Sequence, residues 1–293
     1  MQKSNGERVF SVFNGIFLLF IICTVVFPLA HILSISLSEK QAIINQTVGL
    51  LPKGLRFDAY KYIFLKPAFL TSLANTVGLT AAYVFTSILV CVMAAYALSK
   101  DFYGKRLVTY IFIITMYFSG GLIPSYLLIT KYLKLYNTYW ALLIPGLVNV
   151  FYIIVIRSQI EAIPPSLSEA AIVDGANEFQ VLINVIIPSV SATIAAIGMF
   201  LALSMWNMWF PVMIYTNKES LWTLQYFLRA VIFDKFLTAE NTAVTNLFMD
   251  ATDITPQNFQ MAAIVLVALP IVSIYPFVQK YFVKGILVGS VKE

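Results

Sequence analysis

The chain has 293 residues, of which 60% are hydrophobic, 15% aromatic and only 11% charged, and its mean hydropathy is +0.84. Soluble domains carry about 25% charged residues, so an ordinary soluble fold is excluded. The net charge of +5 does not point to nucleic acid either, because the basic residues stand singly between apolar runs and form no stripe.

Taken in chain order, six long runs contain no charged residue: 9–33, 74–98, 107–130, 139–156, 189–215 and 260–279. A hydrocarbon core about 30 Å thick is crossed by about 20 helical residues, and a charge at the centre of such a helix costs roughly 2.5–3.5 kcal/mol. The runs therefore predict an all-α, polytopic membrane protein with six transmembrane helices in one membrane domain covering 1–293. The first run lacks a small-residue cleavage site and is read as a retained span. Between the first two runs, DAYKYIFL (58–65) reads as a short helix on the membrane surface. Cys23 and Cys91 lie inside runs and act as small apolar residues. With them and one histidine, His31, no four-ligand Cys/His zinc site can be assembled. No GxxxxGK[ST] occurs, so the chain holds no ATP in a phosphate loop of its own.

Six spans put both termini on one side. With the termini cytoplasmic, the basic residues divide almost evenly, and Lys3, Arg8, Lys100, Lys105, Arg106, Arg157, Lys280, Lys284 and Lys292 fall inside. These crowd the span ends, which favours this orientation under the positive-inside rule. The segment from Arg157 to Ile187 runs against the rule, since it holds Glu161, Glu169, Asp174 and Glu178 and a single basic residue.

That segment, the loop over about 158–188, is also the most densely punctuated. In IPPSLSEAAIVDGANEFQVLINVIIPSV (163–190), Pro164 and Pro165 end the preceding helix, and Ser166 with Glu169 has the spacing of a capping box. Gly175 is placed to end a helix of about nine residues in a left-handed turn, and Asn177 to cap a second helix running to Pro188. The result is an elbow whose first arm, too short to be stable alone in water, packs on another protein through Leu167, Ala170, Ala171, Ile172 and Val173.

The spacing Glu169-Ala170-Ala171, three residues, Gly175, nine residues, Val185, one residue, Ile187-Pro188 resembles the EAA loop of ABC importer permeases. Val185 and Ile187 stand where that pattern has Ile and Leu. The stretches at 50–64, 73–77, 119–128 (SGGLIPSYLL), 204–215 (SMWNMWFPVMIY) and 279–293 resemble the carbohydrate-uptake, maltose-permease-like group, and SGGLIP its Gram-positive oligosaccharide and polysaccharide branch. Tyr152 departs from that pattern, where an Asn is expected.

The resemblance implies a permease subunit, not an enzyme, that moves an oligosaccharide across the cytoplasmic membrane by alternating access. Its cytoplasmic loop would dock on a separate ATPase dimer that binds ATP and Mg, with Glu169, Ala170, Ala171, Asp174, Gly175 and Pro188 as coupling residues. The further partners implied are a second homologous permease subunit, an extracellular sugar-binding lipoprotein and membrane lipid. Asn75, Asn149, Tyr152, Trp206 and Asn207 are the candidates for the sugar path, since amides and aromatic planes suit sugar rings. Interhelical hydrogen bonding and core packing are the competing explanations for the same residues. A self-contained secondary transporter or channel is the alternative; it would normally carry ionisable residues within its spans, and here only His31, near an end, qualifies.

Overall fold

The computed structural model describes residues 5–118, 120–233 and 254–290, and within these the side chains outside 5, 8, 9 and 274–290. The predicted positions Lys3, Arg8, Ser119, Lys280, Lys284 and Lys292 thus lie outside what is described. All regular structure among the described residues is helical. The chain forms two compact bodies, one of Met1–Phe69 with Leu228–Pro270 and one of Leu70–Phe227 with Ile271–Glu293.

In the first body, α1 (Asn5–Ser36) is apolar all round. Its segment Phe10–Ser36 holds an 18-residue stretch of mean hydropathy 2.7 in which no residue is buried, the pattern of a helix that faces lipid, whereas Ser34, Ile35 and Ser36 at its end are buried. Helix ends leave carbonyls unsatisfied, and here the buried Asn258 amide donates to Ile35 O at 2.8 Å and Ser36 O at 3.2 Å. Ser36 Oγ also lies 2.6 Å from the Tyr60 hydroxyl. After α2 (Lys40–Ile44), α3 occupies Asp58–Leu65, the bounds the sequence predicts. Ile63, Phe69 and Phe259 are fully buried, and Tyr62 packs edge-on to Phe259 at 6.0 Å.

The second body is organised on α4 (Pro67–Ser99). It is followed by α5 (Lys105–Tyr117), α6 (Leu122–Leu127) with a π turn over Leu128–Tyr132, α7 (Trp140–Leu143) and α8 (Val150–Glu161). Next come α9 (Pro165–Val173), α10 (Glu178–Val181), a π turn over Leu182–Ile186, α11 (Ile187–Ser189), α12 (Ser191–Trp206), α13 (Phe210–Tyr215) and α14 (Leu224–Phe233). The last helix, α15, runs Pro256–Ser290. Cys91 and Ala95 of α4 meet Ile153 and Ile156 of α8 and Val181 of α10 in the core.

Three predicted continuous spans are broken. The run 107–130 is interrupted between α5 and α6, where Gly121 takes φ +85°. The run 139–156 bends by 47° between Trp140–Gly146 and Val150–Glu161. Its freed carbonyls are taken up by α4, since Tyr83 Oη donates to Gly146 O at 2.7 Å and Ser87 Oγ to Leu147 O at 2.8 Å, as backbone breaks at membrane depth require. A Cβ on Gly146 would stand 2.6 Å from the Tyr83 hydroxyl, so any larger residue there would have to displace Tyr83 from this bond. The run 189–215 opens at Asn207–Trp209, between α12 and α13. Hydropathy sees composition and not backbone continuity, which is why these breaks escape it. Among the described residues three helices are long and apolar enough to cross a membrane, and up to six spans result if Lys105–Tyr117 with Leu122–Tyr132, Trp140–Gly146 with Val150–Glu161, and Glu178–Ser189 with Ser191–Trp206 each count as one.

Candidate coupling elbow and substrate path

The elbow forms, with one correction at its start. Helix α9 begins at Pro165, whose ring presets the first helical φ, after Pro164 in extended backbone. No side chain caps it, so the expected Ser166–Glu169 capping box is absent: starting at Pro165 puts Ser166 inside the first turn, where its hydroxyl cannot serve as the cap. At the other end Gly175 has φ +90°. Ala176 N–H donates to Ala171 O and Gly175 N–H to Ile172 O, both at 2.9 Å, the paired bonds of a Schellman ending. Asn177 then caps α10 in a reciprocal box: its Oδ1 accepts from Gln180 N at 2.9 Å, and Gln180 Oε1 accepts from Asn177 N at 2.8 Å. The second arm continues through the π turn to Pro188 and bends by 80° against α12. Pro188 has no N–H for the carbonyl four residues earlier and crowds it, which accounts for the widened turn just before it.

Both roots of the elbow are tied to neighbouring helices. At the first, Arg157 Nε donates to Glu161 Oε1 at 2.8 Å and its Nη1 to Thr109 Oγ1 of α5 at 3.1 Å, while Lys105 Nζ lies 3.8 Å from Glu161. At the second, Tyr96 Oη donates to Glu178 Oε2, and Lys100 Nζ lies 3.0 Å from the same oxygen. Burial pulls the Lys100 ammonium down, but its bonds to Glu178 and Tyr96 outweigh this and hold its pKa above the ordinary lysine value. Between the roots, α9 projects with Glu169, Ala170, Asp174 and Gly175 exposed and Val173 86% exposed. Glu169 and Asp174 have no ion pair among the described residues.

The five path candidates do not converge. Asn75 Nδ2 donates to Ser220 O at 2.8 Å and Trp222 O at 3.0 Å, and its Oδ1 accepts from Tyr139 Oη at 2.8 Å. Asn207 closes α12; its Nδ2 donates to Leu203 O at 2.8 Å and its Oδ1 accepts from Gln225 Nε2 at 3.1 Å. The strip 220–225 links these two amides, because Thr76 Oγ1 accepts from Leu224 N at 2.7 Å and Thr223 Oγ1 donates to Met208 O at 2.6 Å. Beside them Trp206 is 8% exposed and its Nε1–H is buried without a partner. Asn149 instead caps α8, accepting from Tyr152 N at 3.3 Å, and lies next to Cys91. Cys91 is about 24 Å along α4 from Asn75, at 1.5 Å per residue. Tyr152 packs on the core and stands edge-on to Phe151 at 5.8 Å. Sequence reasoning overlooked Gln225 and Tyr139, which lie outside or at the border of the apolar runs, and Tyr96 with Lys100, whose i,i+4 spacing at a helix end was the available signal. No cluster of His, Cys, Asp or Glu among the described residues could hold a metal.

Residues 87–288 match the family described as binding-protein-dependent transport system inner membrane component. Over its whole length the chain is 35% identical to the Bacillus subtilis protein LplC, covering 98% of it. It is 32% identical to the polygalacturonan/rhamnogalacturonan transport system permease protein YtcP of the same organism, across 98% of this chain and 99% of that one. A crystallised bacterial ABC transporter involved in the import of the acidic polysaccharide alginate contains a chain that superposes with a TM-score of 0.88. That chain is 34% identical, with 96% of this chain and 99% of that one covered. The chain therefore belongs to the family of inner-membrane components of binding-protein-dependent transport systems.

Proposed function

We propose that this chain is the permease subunit of an ABC importer in which α9 is the arm that docks on a cytoplasmic ATPase and the polar strip around Asn75, Asn207 and Gln225 borders the sugar path. The cargo is a carbohydrate, an oligosaccharide in our reading, in keeping with the polysaccharide systems named for its relatives. A sugar-binding lipoprotein delivers it, and a second homologous permease completes the pathway. The ATPase dimer binds ATP and Mg, and the chain itself performs no catalysis.

The observation that carries the reading is the form of α9: a nine-residue helix with no stability of its own, held at both roots, and exposing Leu167, Ile172 and Val173 beside two unpaired acids. Asp174 lies at a helix C-terminus, where a negative charge opposes the helix dipole at a cost of about 0.3–1 kcal/mol, and no basic residue offsets it in the last turn. A cationic, partly apolar groove on a partner would relieve both defects.

Six spans that put 99–106 and 157–188 on one side and 131–138 and 216–223 on the other are supported by which segments meet, and the likeness of the elbow to the EAA loop makes the first side, with the termini, cytoplasmic. The expected inner segments pair with each other through Lys105–Glu161 and Lys100–Glu178. The expected outer ones pair where Asn137 accepts from Asn217 N at 2.7 Å and donates to Tyr215 O at 2.9 Å. Glu169, Ala170, Ala171, Asp174, Gly175 and Pro188 then shape and present the coupling surface. ATP favours one state of the ATPase pair, and the elbow passes that preference to the spans as alternating access. Placing Cys at Val173 tests the reading: in membranes holding the assembled importer it should form a disulfide with a cysteine placed in the ATPase groove. Absence of any crosslink along Leu167–Val173, with the complex intact, would refute it.

A further inference from the structure

The four acids of the elbow segment are of two kinds. Glu161 and Glu178 stand at its roots and are paired to basic side chains, whereas Glu169 and Asp174 stand on the free arm. Glu178 is the more firmly held of the root acids. Tyr96 donates to it, Lys100 Nζ lies 3.0 Å from Oε2 and 3.3 Å from Oε1, and the same ammonium sits 4.9 Å from the centre of the Tyr96 ring. Tyr96 lies in the last turn of α4 and Lys100 directly follows its end, four residues on, a spacing that brings the two side chains together. Three mutually bonded groups fix a direction as well as a distance, which a lone exposed ion pair does not. On the elbow side, Glu178 follows directly on the Asn177 cap, and three residues later Val181 is fully buried in the core. The second root is therefore anchored on two sides, to the Ser99 end of α4 through Glu178 and to the core through Val181.

The same helix carries Asn75 and Thr76 toward its other end. As one continuous element of 33 residues, α4 is about 50 Å long, so a small tilt imposed at Ser99 becomes a displacement at Asn75. We propose that the Glu178–Tyr96–Lys100 contact is a strut that makes the elbow and the Ser99 end of α4 move as one piece, so that Glu178 is a positioning residue for transport. The proposal rests on the reading of α9 as the ATPase-docking arm.

The test uses the assembled importer in lipid nanodiscs, with Cys23 and Cys91 replaced, and spin-label pairs at Ser168→Cys with Ser99→Cys and at Ser168→Cys with Asn217→Cys. Distances are read by double electron–electron resonance without nucleotide and with ATP, magnesium and vanadate. The strut requires the 168–217 distance to change with nucleotide while 168–99 stays fixed. Glu178→Ala should let 168–99 shift on nucleotide addition without lowering the thermal unfolding midpoint, because the side chain is 62% exposed. The reversed pair Glu178→Lys with Lys100→Glu should hold it fixed again. A 168–99 distance that stays constant in Glu178→Ala overturns the strut alone. A 168–217 distance that ignores nucleotide in the otherwise unaltered chain overturns the docking reading, and the strut with it.

Discussion

Replacing Gly175 isolates the backbone requirement of the elbow from its packing. A Cβ built there meets nothing within 4 Å, so a larger side chain is not excluded by space. The cost arises from φ +90°, which for a non-glycine residue is about 1–3 kcal/mol and largest for a β-branched one. Asn tolerates left-handed backbone better than Ala, so the order of damage should be Asn, then Ala, then Val. The place to read it is the Schellman pair, whose amides at Gly175 and Ala176 are released when the turn opens. Hydrogen exchange in a peptide spanning this turn should accelerate by about 5- to 160-fold across that energy range. In the reconstituted importer, sugar uptake should vanish in Gly175→Val while the protein still inserts. If Gly175→Asn exchanges faster than Gly175→Ala, side-chain volume rather than φ governs the turn and the reasoning fails.

Asp174→Asn should stabilise α9 by about 0.3–1 kcal/mol, seen as slower exchange, because it removes a charge that opposes the helix dipole. It should nevertheless weaken ATPase binding, and tighter binding would contradict an electropositive groove. Single cysteines at Ser168 and Asn217, in a background lacking Cys23 and Cys91, should differ in intact cells toward an impermeant thiol reagent: 217 reacts and 168 does not. The reverse result would invert the topology. Trp206→Phe deletes a buried N–H that has no partner, and an unmade bond of that kind costs about 1–3 kcal/mol; thermal stability in detergent should hold or rise while uptake kinetics change. A stability loss with unaltered uptake would return Trp206 to the packed core.

The parts of this chain legible in sequence are those fixed by local chemistry. Asp58–Leu65, the left-handed Gly175 and the Asn177 cap each depend on residues within one or two turns, and each appears as expected. The Ser166 cap fails for an equally local reason, since Pro165 is the stronger start signal and both cannot be first. The breaks at Gly146–Asn149 and Asn207–Trp209 lie beyond a hydropathy reading because partners far away in sequence stabilise them. Tyr83 and Ser87 support one and Thr223 and Gln225 the other. The path candidates share this difficulty. An amide in an apolar run looks the same whether it caps a helix, as Asn149 does, or joins segments, as Asn75 does through Tyr139 and Ser220.

With the elbow read as cytoplasmic, as proposed above, its departure from the positive-inside rule follows from the same distinction between local and distant partners. The rule counts Lys and Arg along the sequence and takes no account of the partners those residues find in the folded chain. Lys100, Lys105 and Arg157 are drawn onto Glu178 and Glu161, so the root acids are already neutralised by basic residues on their own side. What remains is Glu169 and Asp174 on α9, with Leu167, Ile172 and Val173 exposed beside them. Exposed acids beside exposed apolar groups match a protein groove that supplies cations and apolar walls together. The charge imbalance that makes the sequence ambiguous about orientation is therefore confined to the surface where a partner is expected. Adding a basic residue to α9 to restore the rule, as in Ser168→Lys, would improve the charge count while weakening the docking arm.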